Sequence, residues 1–389
     1  MRSHRGHRAA LLAGAAALVL VAGCTSATAQ PPSSSRDPGG GTTVPVAAPA
    51  GAGADPPVST TPSSPAQIYS VGHDVSDPFL TAWNGRYYLI ASEGGPGTTL
   101  NVPMLSGTAV GRWGPIFDAM PSLPPWSAPG FTWAPDLHAF GSTFVLYFTA
   151  VVKSTSPAME CIGSATASSP QGPFTPAARP FICQVGQGGS IDPRVFTDTD
   201  GTNWLVWKSD QNIGGSPVPT KIWSAPLTGD GLAFTAPPTA ILQPSQPWQG
   251  TIVESPDLVK VQGTYWLFYS GNWFNTPSYA TGAARCAGPT GPCTETSSTP
   301  LVATNTQGAG PGEESVYASS AGVWLLYTPW HSDSPNYDAS PRPVAIARLG
   351  FADTGPYLAT WSAPPSPPVT VVPPTPPHPS SVRIAPPTS

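Results

Sequence analysis

The feature that most constrains the fold is a pattern that occurs five times along the 389-residue chain. Each copy has a glycine, one or two further residues, an aromatic side chain and then alternating apolar residues. The copies read NGRYYLIAS at 84–92, FGSTFVLYFTA at 140–150, DGTNWLVWKS at 200–209, QGTYWLFYSG at 262–271 and AGVWLLYTPW at 321–330. Glycine readily adopts the positive φ of a tight turn, and the run after it has strand character. Each copy therefore predicts a β-hairpin.

The spacing of the copies predicts how the hairpins are assembled. Their glycines, at 85, 141, 201, 263 and 322, lie between 56 and 62 residues apart. Two or three strands in so short a unit cannot bury both faces of their sheet alone, whereas radial repetition buries them against the neighbouring units. We therefore predict an all-β fold, a five-bladed β-propeller. A β-sandwich of similar strand count is the alternative, but a sandwich has no such even repeat.

Composition supports an all-β fold and limits the partners. Charged residues make up 10% of the chain and lysines number only four, so a helical bundle is excluded. The 13 Trp, 13 Phe and 11 Tyr suit strands. The formal net charge is −5, and no basic stripe is present to indicate a nucleic-acid partner. A neutral ligand fits this chain better than a polyanion.

Both ends of the chain are predicted to lie outside the propeller. Residues 1–24 place three arginines before an apolar run that ends Leu20-Val21-Ala22-Gly23-Cys24. This run indicates an export signal and resembles a bacterial lipoprotein signal, with Cys24 as the lipidated residue. An ordinary signal peptide is the alternative. Residues 25–66 predict a Pro/Ala/Ser-rich linker, 67–361 the propeller, and 362–389 a Pro-rich disordered tail. The protein is expected to be an exported, membrane-anchored lipoprotein or a secreted protein.

Four cysteines remain after Cys24. An even count in an exported chain indicates disulfides, and three pairings are possible. We favour the two local ones, Cys161 with Cys183 and Cys286 with Cys293.

An acid beside a proline lies just upstream of four of the hairpins. The four segments are Ser76-Asp77-Pro78, Ala134-Pro135-Asp136, Ile191-Asp192-Pro193 and Glu254-Ser255-Pro256-Asp257. In a propeller this segment is the innermost strand, an edge where proline costs little, and its side chains line the central channel. Acids from different blades would then converge. Glycoside hydrolysis needs one carboxylic acid to donate a proton and one carboxylate to activate water or attack. A third acid can raise the pKa of the donor.

These segments carry a family resemblance. Val75-Ser76-Asp77-Pro78-Phe79, Trp133-Ala134-Pro135-Asp136, Ser190-Ile191-Asp192-Pro193 and Val253-Glu254-Ser255-Pro256 follow one another at blade spacing, and Trp266–Gly271 comes after the last. From about residue 71 to 355 the chain resembles glycoside hydrolase family 43, the arabinanase, α-L-arabinofuranosidase and β-xylosidase propellers. The resemblance implies an inverting enzyme with Asp77 as general base and Glu254 as general acid. It implies that Asp192 tunes the pKa of Glu254 and orients it. We interpret Asp136 and Asp257 as structural.

Other side chains near these segments are candidates for substrate binding. Trp133, Trp273 and Trp330 could stack on sugar faces, or could pack between blades. Arg285 and Arg342 could bind sugar hydroxyls, or could bridge blades.

A departure from the family concerns a metal ion. Many relatives begin the last blade with Gly-Pro-Gly-His, whose histidine helps to hold a metal, often calcium. Here the segment reads Gly310-Pro311-Gly312-Glu313-Glu314-Ser315. A carboxylate suits calcium, so a structural calcium at the propeller centre is an alternative to a protein that requires no cofactor. We expect His73 and His331 to be structural.

Taken together, the sequence predicts a monomeric, inverting glycoside hydrolase that acts on arabinose- or xylose-containing glycans, with arabinofuranosyl linkages first. The alternatives are a β-xylosidase and a non-catalytic, glycan-binding propeller.

Overall fold

The computed structural model of the chain describes residues 66–93, 100–153, 155, 158–331 and 341–367. The predicted signal peptide with Cys24 and the predicted linker up to residue 65 lie outside these residues, as does the predicted tail beyond 367. The described residues are all β apart from three single-turn 3₁₀ helices, Val185–Gln187, Ile213–Gly215 and Pro247–Gln249. No helix in the described part of the chain has the length and apolar character needed to cross a membrane.

The strands of the described residues form five antiparallel sheets, each built from consecutive hairpins. The first sheet contains β2 (Phe79–Trp83), β3 (Arg86–Ile90), β4 (Pro103–Ala109), β5 (Arg112–Trp113) and β6 (Phe117–Asp118). The second contains β7 (Ser127–Phe140), β8 (Thr143–Val152), β9 (Glu160–Ala167) and β10 (Thr175–Pro176). The third contains β11 (Ser190–Thr197), β12 (Asn203–Ser209), β13 (Ile222–Pro226) and β14 (Thr239–Leu242). The fourth contains β15 (Val253–Val261), β16 (Thr264–Gly271), β17 (Ala280–Cys286) and β18 (Cys293–Glu295). The fifth contains β19 (Ala309–Ser319), β20 (Gly322–Trp330), β21 (Val344–Ala352), β22 (Gly355–Leu358) and, from the other end of the chain, β1 (Ala66–Tyr69).

The first strands of the five sheets form a closed circuit. Strand β2 contacts β7, β7 contacts β11, β11 contacts β15, β15 contacts β19, and β19 contacts β2 again. This arrangement is a five-bladed β-propeller, and the prediction from the repeat is confirmed. The acid-bearing segments form, or directly precede, these innermost strands, as the sequence predicted.

The ring is closed by strand pairing between the two ends of the fold. Residues Ala66–Tyr69 of β1 pair antiparallel with Val344–Ala347 of β21. The last blade therefore takes its outer edge from both ends of the described chain, which ties the first blade to the fifth by backbone hydrogen bonds.

The apolar core is divided among the five gaps between blades. The packing of strand β12 on two sides explains its unbroken run of apolar residues. Its Leu205 and Trp207 pack against the second blade with Tyr147, whereas Val206 between them packs against the fourth blade with Leu267. A strand buried on both faces needs apolar residues at every position rather than at alternate ones. Equivalent clusters fill the other three gaps.

Both favoured disulfides are present, one joining Cys161 of β9 to Cys183 and the other joining Cys286 of β17 to Cys293 of β18. The first residues of the predicted tail lie against the propeller. The indole Nε1–H of Trp324 donates to the Ser362 carbonyl at 2.7 Å, and the Tyr87 hydroxyl donates to the Pro365 carbonyl.

Candidate active site

Each blade turns one residue of its innermost segment into the left-handed region of backbone conformation. These residues, which we call the bulge ring, are Asp77 (φ 48°), Ala134 (46°), Asp192 (56°), Ser255 (48°) and Glu313 (57°). In four of the blades the strand register shifts at the same place, as expected for a β-bulge. Positive φ is uncommon for residues other than glycine and is typical of functional sites when the surroundings impose it.

The bulges are held from the neighbouring blade. In three junctions a hydroxyl of the preceding blade accepts the backbone N–H of the bulge residue: Ser92 from Ala134 at 2.8 Å, Thr149 from Asp192 at 3.1 Å, and Ser270 from Glu313 at 2.9 Å. In the other two junctions a carboxylate accepts: Asp192 from Ser255 at 2.9 Å, and Glu313 from Asp77 at 3.3 Å. A polar side chain of the preceding blade thus holds the bulge of the next blade at all five junctions.

Asp77 is the bulge residue of the first blade. Its Oδ2 accepts a hydrogen bond from the Ser92 hydroxyl at 2.5 Å. Burial raises the pKa of Asp77 well above its usual range, and the charges of Glu313 and Asp192 raise it further. Ser92 and the positive charge of Arg342 act in the opposite direction. Asp77 is therefore a carboxyl whose proton affinity is set by acids from two other blades.

Asp192 and Glu254 belong to adjacent blades and interact through their charges. Burial raises the pKa of Asp192 to about 7; the charge of Glu254 also raises it, while that of Lys208 lowers it. Glu254 directly precedes the bulge at Ser255, and its Oε2 accepts a hydrogen bond from Lys208 Nζ at 2.9 Å. The three acids that the sequence singled out, Asp77, Asp192 and Glu254, thus belong to one interacting group.

Lys208 was missed by sequence reasoning. It is almost fully buried and lies 2.9 Å from Glu254 Oε2 and 3.3 Å from Asp210 Oδ1. The available signal was a lysine at a position of the hairpin repeat where the other copies have Ser or Thr, in a chain with four lysines.

Glu313 occupies the place of the family's metal-binding histidine, and its carboxylate is already engaged. Arg342 Nη1 donates to both of its oxygens, at 2.8 and 2.9 Å, and the Thr328 hydroxyl donates to Oε2 at 2.6 Å. Arg342 also pairs with Asp74 at 3.2 Å and lies 4.4 Å from the centroid of the Trp330 ring. A guanidinium thus supplies the positive charge beside this carboxylate, so the residues do not fit a calcium ion here. The described residues contain no group of three or more His, Cys, Asp or Glu side chains that could hold a metal.

The two histidines that we expect to be structural both contact backbone carbonyls. A ring nitrogen of His73 lies 2.9 Å from the Asp74 carbonyl oxygen, and one of His331 lies 2.8 Å from that of Pro341. These contacts fit structural roles.

A second set of side chains follows two residues after the bulge ring. This set, which we call the second ring, consists of Phe79, Asp136, Arg194, Asp257 and Ser315. Asp136 accepts the backbone N–H of Val195 at 3.1 Å, and Asp257 accepts that of Val316 at 2.7 Å, each from the next blade. Burial raises the pKa of both carboxyls to about 7, against the charge of Arg194. Asp136 and Asp257 connect blades, as the sequence predicted.

The three tryptophans differ in their surroundings. Trp133 directly precedes the second bulge, is half-buried, and makes an edge contact with Phe131 at 5.8 Å between ring centroids. Trp273 is also half-buried, in the loop after β16. Trp330 is only 6% exposed, its Nε1–H donates to the Phe274 carbonyl at 2.8 Å, and Arg342 covers one face of its ring. Trp133 and Trp273 therefore retain accessible surface, whereas Trp330 is packed.

Arg285 lies away from the acids. It stacks 5.0 Å from the Trp266 ring centroid and donates to the Asp353 carbonyl at 3.0 Å, which links the fourth blade to the fifth. Of the two arginines considered for sugar binding or for bridging blades, Arg342 lies beside acids of the bulge ring and Arg285 does not.

Comparisons with known proteins identify the family of the chain. Residues 70–356 match the family described as Glycosyl hydrolases family 43. The chain is 27% identical over 297 residues to arabinan endo-1,5-alpha-L-arabinosidase C of Emericella nidulans, covering 69% of this chain and 85% of that protein. It is 26% identical over 246 residues to beta-D-galactofuranosidase xynD of Aspergillus niger, covering 60% and 66%. A crystal structure of a thermostable family-43 glycoside hydrolase superposes with a TM-score of 0.65 at 25% identity, covering 78% of this chain and 99% of that one. The chain belongs to glycosyl hydrolase family 43, and it is a glycoside hydrolase.

Proposed function

We propose that this enzyme hydrolyses arabinofuranosyl or xylosyl linkages with inversion, with Asp77 as general base, Glu254 as general acid and Asp192 as the residue that tunes and orients Glu254. The observation that carries the proposal is the position of these acids at the bulges of three blades, with Asp77 and Asp192 as bulge residues and Glu254 directly before Ser255. Asp192 acts on the pKa of Asp77, and Glu254 acts on the pKa of Asp192. An inverting glycosidase needs two such carboxyl groups, one on each side of the scissile bond.

The environment of Asp77 suits a general base. A base is most effective when its pKa lies near the working pH, and burial with two neighbouring acids moves the pKa of Asp77 upward from the usual range of an aspartate. The Ser92 hydroxyl holds Oδ2, so that Oδ1 is the oxygen that would accept a proton from water. The pKa of Asp77 would set the acidic limb of the pH profile, because the base must be ionised to act.

The half-buried Trp133 and Trp273 are the proposed walls of the sugar-binding site, since aromatic faces pack against the apolar faces of sugars. Trp330 would contribute through Arg342, which it supports and which lies close enough to Asp77 to lower its pKa. The substrate would be an arabinose- or xylose-containing glycan. Among the candidate substrates we rank arabinofuranosyl linkages first, because one relative is named as an arabinosidase.

The same proposal covers cofactor and location. The Arg342 guanidinium supplies a fixed positive charge beside Glu313, so turnover would require no metal ion. The two disulfides fit an exported protein. Lipidation of Cys24 would anchor a monomer at the cell surface, and palmitate labelling of wild type against Cys24→Ala tests that anchor.

The catalytic assignment is tested by sugar release from arabinan, arabinoxylan and xylan and from 4-nitrophenyl α-L-arabinofuranoside, β-D-xyloside and β-D-galactofuranoside. We expect Glu254→Gln to slow release from the glycans, whose leaving groups need a proton, by about 10²–10⁴-fold. Glu295→Gln is the matched control, because Glu295 lies on the outermost strand of the same blade. The first sugar released should show the inverted anomeric configuration by proton NMR. Equal rates for Glu254→Gln and wild type, or retained configuration, would contradict the proposal.

A further inference from the structure

The five second strands place one side chain each at an equivalent position behind the bulge ring. Strand pairing sets Thr149 opposite Trp133, Lys208 opposite Ile191, Ser270 opposite Glu254 and Thr328 opposite Gly312. In the first blade the Ser92 N–H donates to the Ser76 carbonyl, which places Ser92 at the same position. Four blades thus carry a hydroxyl, and the third carries an ammonium.

The hydroxyls at this position hold the bulges, and Lys208 does not. Ser92, Thr149 and Ser270 accept the bulge N–H of the next blade, and Thr328 donates to Glu313, which accepts the N–H of Asp77. An ammonium group can donate hydrogen bonds but cannot accept them, so it cannot hold a backbone N–H. At the junction behind Lys208, the carboxylate of Asp192 accepts the Ser255 N–H instead. The hydrogen bond that holds this bulge therefore does not involve Lys208. The lysine must have another role.

The ammonium of Lys208 lies among carboxyl groups from four strands or strand ends. It donates to Glu254 Oε2 at 2.9 Å and to Asp210 Oδ1 at 3.3 Å. Asp192 of β11 and Glu160 of β9 interact with it through their charges. Burial acts to lower the pKa of Lys208, but the surrounding acids outweigh burial and raise it. The lysine is therefore a permanent cation inside the site.

We propose that Lys208 is a positioning residue that holds Oε2 of Glu254, leaves Oε1 for the glycosidic oxygen and pairs with the carboxylate that proton transfer produces. The inference rests on the proposed role of Glu254. Proton transfer moves the proton from Glu254 to the leaving-group oxygen and leaves Glu254 negatively charged beside the ammonium.

The expected signature is a displaced alkaline limb of the pH–rate profile. A general acid acts only while protonated, so the alkaline side of the kcat/KM profile reports on proton donation. The charged and titratable groups that interact with Glu254 are Lys208 of β12, Asp192 of β11 and Tyr279 before β17, with Asp210 behind Lys208. Lys208→Met removes the only cation of this group. The alkaline limb should move about 1–3 pH units upward, the range for an opposite charge in contact.

The test compares Lys208→Met with Lys208→Arg and Lys260→Met, on the methyl and 4-nitrophenyl glycosides of the sugar that wild type releases. Lys208→Arg keeps the charge, and its alkaline limb should stay within the wild-type range. Lys260 pairs with Asp198 rather than with the acids of the site, so Lys260→Met should leave the profile unchanged. Lys208→Met should slow the methyl glycoside more than the nitrophenyl one, because a poor leaving group depends more on proton donation.

A double substitution separates failure of this inference from failure of the proposed function. In a Glu254→Gln background, Lys208→Met should have little further effect. A folded Lys208→Met protein with an unchanged limb, or an equal slowing in both backgrounds, would overturn the role of Lys208. If Glu254→Gln slowed hydrolysis of the methyl and 4-nitrophenyl glycosides by the same factor, the assignment of Glu254 as general acid would be wrong instead. Lys208→Gln, which keeps a hydrogen-bond donor without the charge, replaces Lys208→Met in every arm if circular dichroism shows that Lys208→Met does not fold.

Discussion

The bulge ring and the second ring lie two residues apart on the same segments, and both bury acids whose pKa values are raised by that burial. They differ in their partners. Asp136 and Asp257 of the second ring accept backbone N–H groups from the next blade. Asp77 of the bulge ring accepts a hydrogen bond from a hydroxyl and interacts with other acids. Asp192 accepts the backbone N–H of Ser255 and also interacts with other acids. Burial alone therefore does not distinguish the acids that we propose to be catalytic from those that connect blades, whereas the contacts of Asp77 set it apart from Asp136 and Asp257.

The largest expected effect contrasts one acid from each ring. Asp77→Asn should reduce kcat/KM by about 10²–10⁴-fold, because the amide cannot accept a proton from water. Asp257→Asn should leave the rate of the folded enzyme near that of wild type, because the amide oxygen can still accept the Val316 N–H. Steady-state assays on the same glycoside check both. Comparable losses in the two variants would abolish the distinction between the rings.

A second contrast concerns stability. Asp257→Ala leaves the buried N–H of Val316 without its acceptor, which should lower the free energy of unfolding by about 1–3 kcal/mol. Urea unfolding followed by tryptophan fluorescence measures this change. Asp230→Ala is the control, because Asp230 bonds a backbone N–H in an exposed turn where water can replace it. Equal costs for the two variants would show that the second ring contributes nothing special to stability.

The raised pKa values of both rings predict how stability depends on pH. Asp136, Asp192 and Asp257 have pKa values of about 7 in the folded protein and about 3.8 ordinarily. Between these limits the native state retains protons that the unfolded chain has lost, so stability should fall as the pH rises from about 4 to 7. His138 opposes this trend, because burial lowers its pKa to about 4. Thermal melts at pH 5 and pH 8 should show the lower midpoint at pH 8, and Asp136→Asn should reduce the difference. A higher midpoint at pH 8 would refute the predicted sign.

The smallest expected effect is the response to a chelator. Glu313 of the bulge ring is engaged by Arg342, so EDTA should change neither kcat/KM nor the melting midpoint. Assays with EDTA and with added CaCl₂ check this. Loss of activity in EDTA that calcium restores would return a metal ion to the centre of the bulge ring.

Several parts of the molecule could be predicted from local patterns. The glycine-aromatic repeat predicted the hairpins and the five blades, because each hairpin is encoded within about ten consecutive residues. The acids beside proline predicted which segments are innermost, and the even cysteine count with short spacings favoured the pairings that are present. The grouping of Asp77, Asp192 and Glu254 followed from the repeat together with the family resemblance.

Other features depend on contacts between distant residues and were decided only by the tertiary structure. Four of the five bulge residues directly precede a proline, but the proline does not itself encode the positive φ that residues as different as Ala134, Ser255 and Glu313 adopt. The hydrogen bond from Asp77 to Glu313 spans 236 residues, and the one from Lys208 to Glu254 spans 46. The sequence alone thus determined the repeat, the strands and the acids, because these are local properties of the chain. Which cation or N–H faces each acid was determined by the closing of the ring, since partners from different blades meet only when all five are packed.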